Sequence, residues 1–167
     1  AMVSSVMVPF GALSQTDQRT LAYDDIAGVS EIYPRPGAPP AGQIRGTVRA
    51  GTLPVFGAHV VAVDAGGTPV VSALSLRDGS YVIRMLPAGT YRVYAEPLDL
   101  PVSEQNVGGG STAYFSGLKT DFGTTYFGNV GTYAGAATIQ VIGSIVSAAD
   151  IQVLPRSSTG LNLTRPG

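Results

Sequence analysis

Beyond residue 42 the apolar side chains of this chain recur mostly at every second position, in short runs that Gly, Pro and Asp interrupt. A period of two belongs to extended backbone, whose successive side chains point to opposite faces, so this part must build its core from strands. In Gln43-Ile44-Arg45-Gly46-Thr47-Val48-Arg49 the polar residues hold odd positions while Ile44 and Val48 face the other way, the pattern of a half-buried strand. The run 58–63 is more continuously apolar, which predicts a strand covered on both faces. Further strands are expected at 70–76, 81–85, 91–95, 137–142 and 151–154. Asp78-Gly79 supplies the residues a tight hairpin needs, and Leu86-Pro87-Ala88-Gly89 forms a second turn before Tyr91. The expectation is mainly β, a seven- or eight-stranded antiparallel β-sandwich with a short N-terminal helix.

That helix precedes Pro34-Arg35-Pro36-Gly37-Ala38-Pro39-Pro40, which favours an extended spacer and ends any helix before it. In 23–33, Ile26, Val29 and Tyr33 fall at i, i+3 and i+7 on one helical face, and Asp24 and Asp25 occupy the first turn, where the helix dipole favours negative charge. The chain is thus divided into 1–33, a linker at 34–40, a sandwich at 41–155 and a polar tail at 156–167.

Composition removes several chemistries. With no Cys and one His, the usual zinc ligand sets and a Cys/His nucleophile are unavailable to this chain. Ten basic against eleven acidic residues provide no field to gather nucleic acid. No apolar run reaches the roughly 20 residues of a membrane span, and the first residues lack the layout of a signal peptide. The lone His59 sits within an apolar strand and is read as a half-exposed strand residue. Asp24 and Asp25 lack the spacing of a calcium loop. Gly108-Gly109-Gly110 lacks the Lys-Ser/Thr pair and helix of a phosphate cradle. Asp64, Asp78 and Asp121 could converge at loop ends.

Between Asn106 and Gly135 the alternation fails, and six of the thirteen aromatic residues collect there: Tyr114, Phe115, Phe122, Tyr126, Phe127 and Tyr133. One reading makes them anchors of a long crossover on the sandwich edge. The other makes Tyr114, Phe115, Tyr126 and Phe127 a stacking platform for a glycan or peptide.

Two stretches resemble known families. Gly42-x-Ile44-x-Gly46-x-Val48, Gly57-Ala58-His59-Val60, Asp78-Gly79-Ser80-Tyr81-Val82-Ile83 and Leu86-Pro87-Ala88-Gly89-Thr90-Tyr91-Arg92-Val93 resemble a carboxypeptidase regulatory-like domain. The resemblance covers about 41–155. It implies a transthyretin-like (Greek key) sandwich, with Tyr81, Ile83, Leu86, Tyr91 and Val93 in the core, used as an accessory domain of secreted enzymes and receptors.

Ser5-Val6-Met7-Val8-Pro9 with Leu21-x-x-Asp24-Asp25-Ile26-x-Gly28-Val29-x-x-Ile32-Tyr33 resembles the last part of a matrixin-type metzincin peptidase. It implies that Met7 is the Met-turn residue, that Pro9, Phe10 and Gly11 wall a specificity pocket, and that Ile26, Val29 and Tyr33 pack on a catalytic subdomain. Ala22 and Gly11 depart from the Ser and Tyr usual in that family. The zinc motif itself is absent, so the expectation is a non-catalytic, cofactor-free piece of a secreted bacterial zinc metallopeptidase, whose zinc would lie in the parent enzyme. A neighbouring catalytic domain and a peptide or glycan ligand are its expected partners.

Overall fold

The computed structural model describes residues 23–37, 41–98 and 117–156. One sheet is built on β1 (Gly42–Ala50). It pairs antiparallel with β2 (Leu53–Pro54) and β5 (Ser80–Leu86) on one side, and parallel with β9 (Val146–Ala148) and β10 (Ile151–Gln152) on the other. The second sheet runs β4 (Pro69–Leu74), β3 (His59–Val63), β6 (Gly89–Glu96), then β7 (Thr125–Tyr126) and β8 (Ile139–Val141), both on β6, with every pair antiparallel. The seven expected strands are all present. Three further ones, β2, β7 and β9, are too short to carry a period of their own, and β9 and β10 make the first sheet mixed.

The two sheets stack through the faces that the alternation marks. Ile44 and Val48 of β1, Tyr81 and Ile83 of β5, Val60 and Ala62 of β3, Val93 and Ala95 of β6 and Val141 of β8 share one buried cluster. Val61 and Val63, the other parity of β3, are buried with Tyr94 in a second cluster on the outer face of the second sheet. Strand β3 is therefore covered on both faces, as its continuous apolar run predicts.

Both turns expected beside β5 are built, but neither joins paired strands. Asp78 Oδ1 accepts the Ser80 N–H at 2.9 Å and the Ser80 hydroxyl at 2.6 Å, while Gly79 takes φ +81. The turn carries the chain from β4 in one sheet to β5 in the other, so it is a corner rather than a hairpin. The turn at Leu86 returns the chain to β6, where the Tyr91 hydroxyl donates to the Pro87 carbonyl at 2.9 Å. A tyrosine bonded back to the backbone a few residues upstream is a known way of fixing such corners.

The long sides of the sandwich are covered by the chain itself. On one, Gly123 N–H donates to the Leu154 carbonyl, Leu154 N–H to Thr125 Oγ1 and Gln152 N–H to Asn129 Oδ1, which ties the β7 edge to the β10 edge. On the other lies α1 (Tyr23–Ile32). The apolar side of the helix is turned away from the sandwich: Ile26, Val29 and Tyr33 are 43%, 57% and 77% exposed, and Ala27, at 4%, is the helix residue buried in the main cluster. The helix docks through the opposite side. Tyr23 Oη donates to the Met85 carbonyl at 2.8 Å, Asp24 Oδ1 accepts the Ser72 N–H at 3.3 Å, and Glu31 pairs with Arg84 at 3.1 Å. Both β4 and β5 are edge strands, and two of their backbone groups are met by the polar side chains of Asp24 and Tyr23.

Candidate binding surface

The outer face of the second sheet brings three tyrosines, an arginine, a histidine and a glutamate together. On β3 and β6 the register sets His59 opposite Glu96, Val61 opposite Tyr94 and Val63 opposite Arg92. His59 Nδ1 lies 3.0 Å from Glu96 Oε1, with both side chains partly exposed. Across Tyr94 lies Tyr126, ring centroids 5.2 Å apart, and Tyr133 stands edge-on to Tyr126 at 6.1 Å. The Arg92 guanidinium sits 4.5 Å over the Tyr133 ring, and its Nη1 donates to the Tyr133 hydroxyl at 3.0 Å, while Arg92 Nε is buried without a hydrogen-bond partner. The strip thus runs from a carboxylate–imidazole pair, across tilted and edge-on phenols, to a cation held on an aromatic face. Burial pushes the phenol of Tyr94 well above its ordinary range, with the Glu96 charge adding to it, and burial raises Tyr126 in the same way. Both rings therefore act as neutral hydrogen-bonding and stacking groups at neutral pH.

The residues singled out from the sequence fall in several places. Met7, Pro9, Phe10, Gly11, Tyr114 and Phe115 lie outside the described residues. Tyr126 packs against the outer cluster and Phe127 against the main core, so these two neighbours in sequence do not share one plane. Phe122 is buried, and Tyr133 belongs to the outer strip. His59 is the partner of Glu96. Asp64 Oδ1 accepts the N–H groups of Gly66 and Thr68, each at 2.9 Å, and so organises its own loop. Asp78 holds its corner, and Asp121 lines a groove of about 730 Å³ with Lys119, Leu53, Leu118, Phe122 and Leu154. The three aspartates do not converge: among the described residues no three His, Asp or Glu side chains come close enough to hold a metal ion. The described part does not fit a zinc site.

Sequence reasoning passed over Arg92, Tyr94 and Glu96. Their signal was there in the parity of β6, whose odd residues Tyr91, Val93 and Ala95 fill the core and whose even residues face out. It becomes informative only once β3 is known to lie beside β6.

No family model matches the sequence, and no curated protein matches it. Among solved structures the chain is similar to a candidate carbohydrate-binding protein from Bacteroides uniformis, at 16% identity over 70% of this chain and 42% of that one, TM-score 0.41. It is also similar to BcpA, the major pilin subunit of Bacillus cereus, at 18% identity over 71% and 31%, TM-score 0.42. A DUF3823 family protein from Bacteroides ovatus matches at 15% identity over 70% and 45%, TM-score 0.41. The chain spans less than half the length of each. At these identities and TM-scores the likeness transfers no function. The matrixin-like and carboxypeptidase regulatory-like resemblances find no family match to support them. No helix among the described residues is long and apolar enough to cross a membrane.

Proposed function

We propose that this chain is a non-catalytic β-sandwich module of a secreted or cell-surface protein, which spaces or docks neighbouring parts and offers the outer strip of its second sheet to a ligand. The observation that supports this reading is the strip itself: Glu96, Tyr94, Tyr126, Tyr133 and Arg92 stand along the outer face of the second sheet, apart from the main cluster between the sheets. The partly buried phenols Tyr126 and Tyr133, beside a carboxylate and an arginine, suit the apolar faces and hydroxyl edges of a sugar, or the side chains of a peptide.

Carbohydrate is the first class to test, because aromatic side chains with polar tips suit both the apolar faces and the hydroxyl edges of a sugar. The carboxypeptidase regulatory-like and metallopeptidase origins rest on residue resemblance alone and belong to this proposal. In the experiment that tests it, the purified chain is titrated calorimetrically with soluble polysaccharides, neutral and acidic, beside Tyr126→Ala and Arg92→Ala. Saturable binding that either substitution weakens at least tenfold supports the ligand face. Binding unaffected by both, or none to any polymer, removes it and leaves the spacer role.

A further inference from the structure

Helix α1 is attached to the sandwich in an unusual sense. Its apolar side, Ile26, Val29 and Ile32, faces solvent, and of its ten residues Ala27 is the buried one. The groups it holds on the sandwich are backbone groups of two edge strands: the Ser72 N–H of β4, taken by the Asp24 carboxylate, and the Met85 carbonyl of β5, reached by the Tyr23 hydroxyl. Met85 sits at φ +59, in the left-handed region that a non-glycine residue rarely adopts, where the β1–β5 ladder shifts register. The third tie, Glu31 to Arg84, is about half exposed at both ends. A helix of ten residues is too short to persist alone in water, so α1 depends on its contacts with the sandwich, these ties and the packing of Ala27 among them.

An extended segment laid between β4 and β5 would satisfy the same groups. Its carbonyl would accept the Ser72 N–H, its N–H would donate to the Met85 carbonyl, and a small apolar side chain would occupy the place of Ala27. Arg84, once Glu31 has left, calls for an acidic residue on the incoming segment. We propose that α1 is a displaceable cover, and that the slot it guards between β4 and β5 accepts an extended peptide strand carrying a small apolar residue and a carboxylate. Strand addition of this kind draws its affinity from main-chain hydrogen bonds and its selectivity from alternate side chains.

Two measurements test it. In hydrogen exchange on the full chain, the amides of α1 and of Ser72 should exchange at least a hundredfold faster than those of Val61 and Val93. Tyr23→Phe with Asp24→Ala should speed Ser72 further while leaving Val61 unchanged. Equal rates at Ser72 and Val61 would mean that α1 opens only with the whole fold, which defeats the proposal.

The second measurement asks what enters the slot, with a fluorescent synthetic peptide of the sequence 58–65 as the strand probe. Binding should tighten at least tenfold in Ala27→Asp, which evicts the helix, and be lost when Ser72→Pro is added, which deletes the N–H at an edge position that tolerates proline. No gain in Ala27→Asp, or a gain that survives Ser72→Pro, overturns the slot. If Ala27→Asp fails to show a cooperative melt, the Tyr23→Phe/Asp24→Ala pair replaces it in the same comparison.

Discussion

Tyr81 lies directly opposite Gly46 on the β1–β5 ladder, and its hydroxyl donates at 2.5 Å to the carbonyl of Ala149, the atom that a Cβ on residue 46 would strike. The missing side chain at 46 lets the chain between β9 and β10 press onto β1, where Asp150 Oδ1 accepts both the N–H and the hydroxyl of Thr47, at 2.8 and 2.9 Å. One glycine, one tyrosine and one carbonyl thereby attach the last strand of the first sheet to its centre.

Gly46→Ala should accordingly be severe, because the obstruction is backbone and cannot rotate away. A loss of at least about 2–3 kcal/mol is expected from overpacking of this kind. Gly28→Ala is the contrast: nothing stands within 4 Å of a Cβ there, in a helix interior. It should stabilise α1 by roughly 0.5–1 kcal/mol. Urea unfolding of both variants checks the pair, and equal effects would contradict the close approach at 46.

Ser75 is fully buried, and its hydroxyl donates to the Val55 carbonyl at 2.7 Å while accepting the Ala58 N–H at 2.9 Å. Ser75→Ala leaves two buried backbone groups unpaired at nearly constant volume. At roughly 1–3 kcal/mol for each orphaned group, a loss of about 2–6 kcal/mol follows. The urea midpoint should fall with an unchanged denaturant slope, and a loss below about 1 kcal/mol would show that water reaches the site.

The period of two was enough to locate β1, because Ile44 with Val48 marks a buried face without reference to any partner, and the continuous apolar run 58–63 was enough to locate β3. Neither signal could reveal β2, β7 or β9, whose two or three residues repeat nothing and are strands only because β1 and β6 pair with them. Asp78-Gly79 announced a turn correctly, but turn chemistry is local and does not say which sheet the next strand joins. The outer strip stayed hidden for a related reason: His59 and Glu96 are 37 positions apart, and only the β3–β6 register brings them together. In α1 the apolar stripe was read correctly as a stripe. The contacts of α1 with the sandwich run through Tyr23, Asp24 and Ala27 instead, and the strand groups that Tyr23 and Asp24 meet are far away in the sequence.

Alkaline pH should unfold the protein through its tyrosines. Burial raises the phenols of Tyr81 and Tyr94 far above their ordinary value, so in the native state they keep protons that the unfolded chain releases near pH of about 10. Their contribution to stability is therefore complete below that pH and declines as pH rises above it. Phenolate absorbance followed against pH should show some tyrosines titrating early and others only together with loss of the near-ultraviolet dichroism. Titration of all tyrosines in one step with the fold intact would contradict their burial.

The orientation of α1 gives the sharpest contrast between a pattern and its outcome. If Ile26 and Val29 filled a core, replacing both with Gln would cost several kcal/mol, since large buried aliphatic side chains contribute about 1.5–3 kcal/mol each. In the fold described they face solvent, so Ile26→Gln with Val29→Gln should change the urea midpoint by no more than ordinary surface substitutions, within about 0.5 kcal/mol. Ala27→Asp, one position away on the docked side, should release the helix, because a carboxylate would have to enter the main cluster unpaired. Helical dichroism near the wavelength minimum should fall in Ala27→Asp and persist in the double Gln variant. The reverse result would mean that the helix buries the stripe its sequence displays.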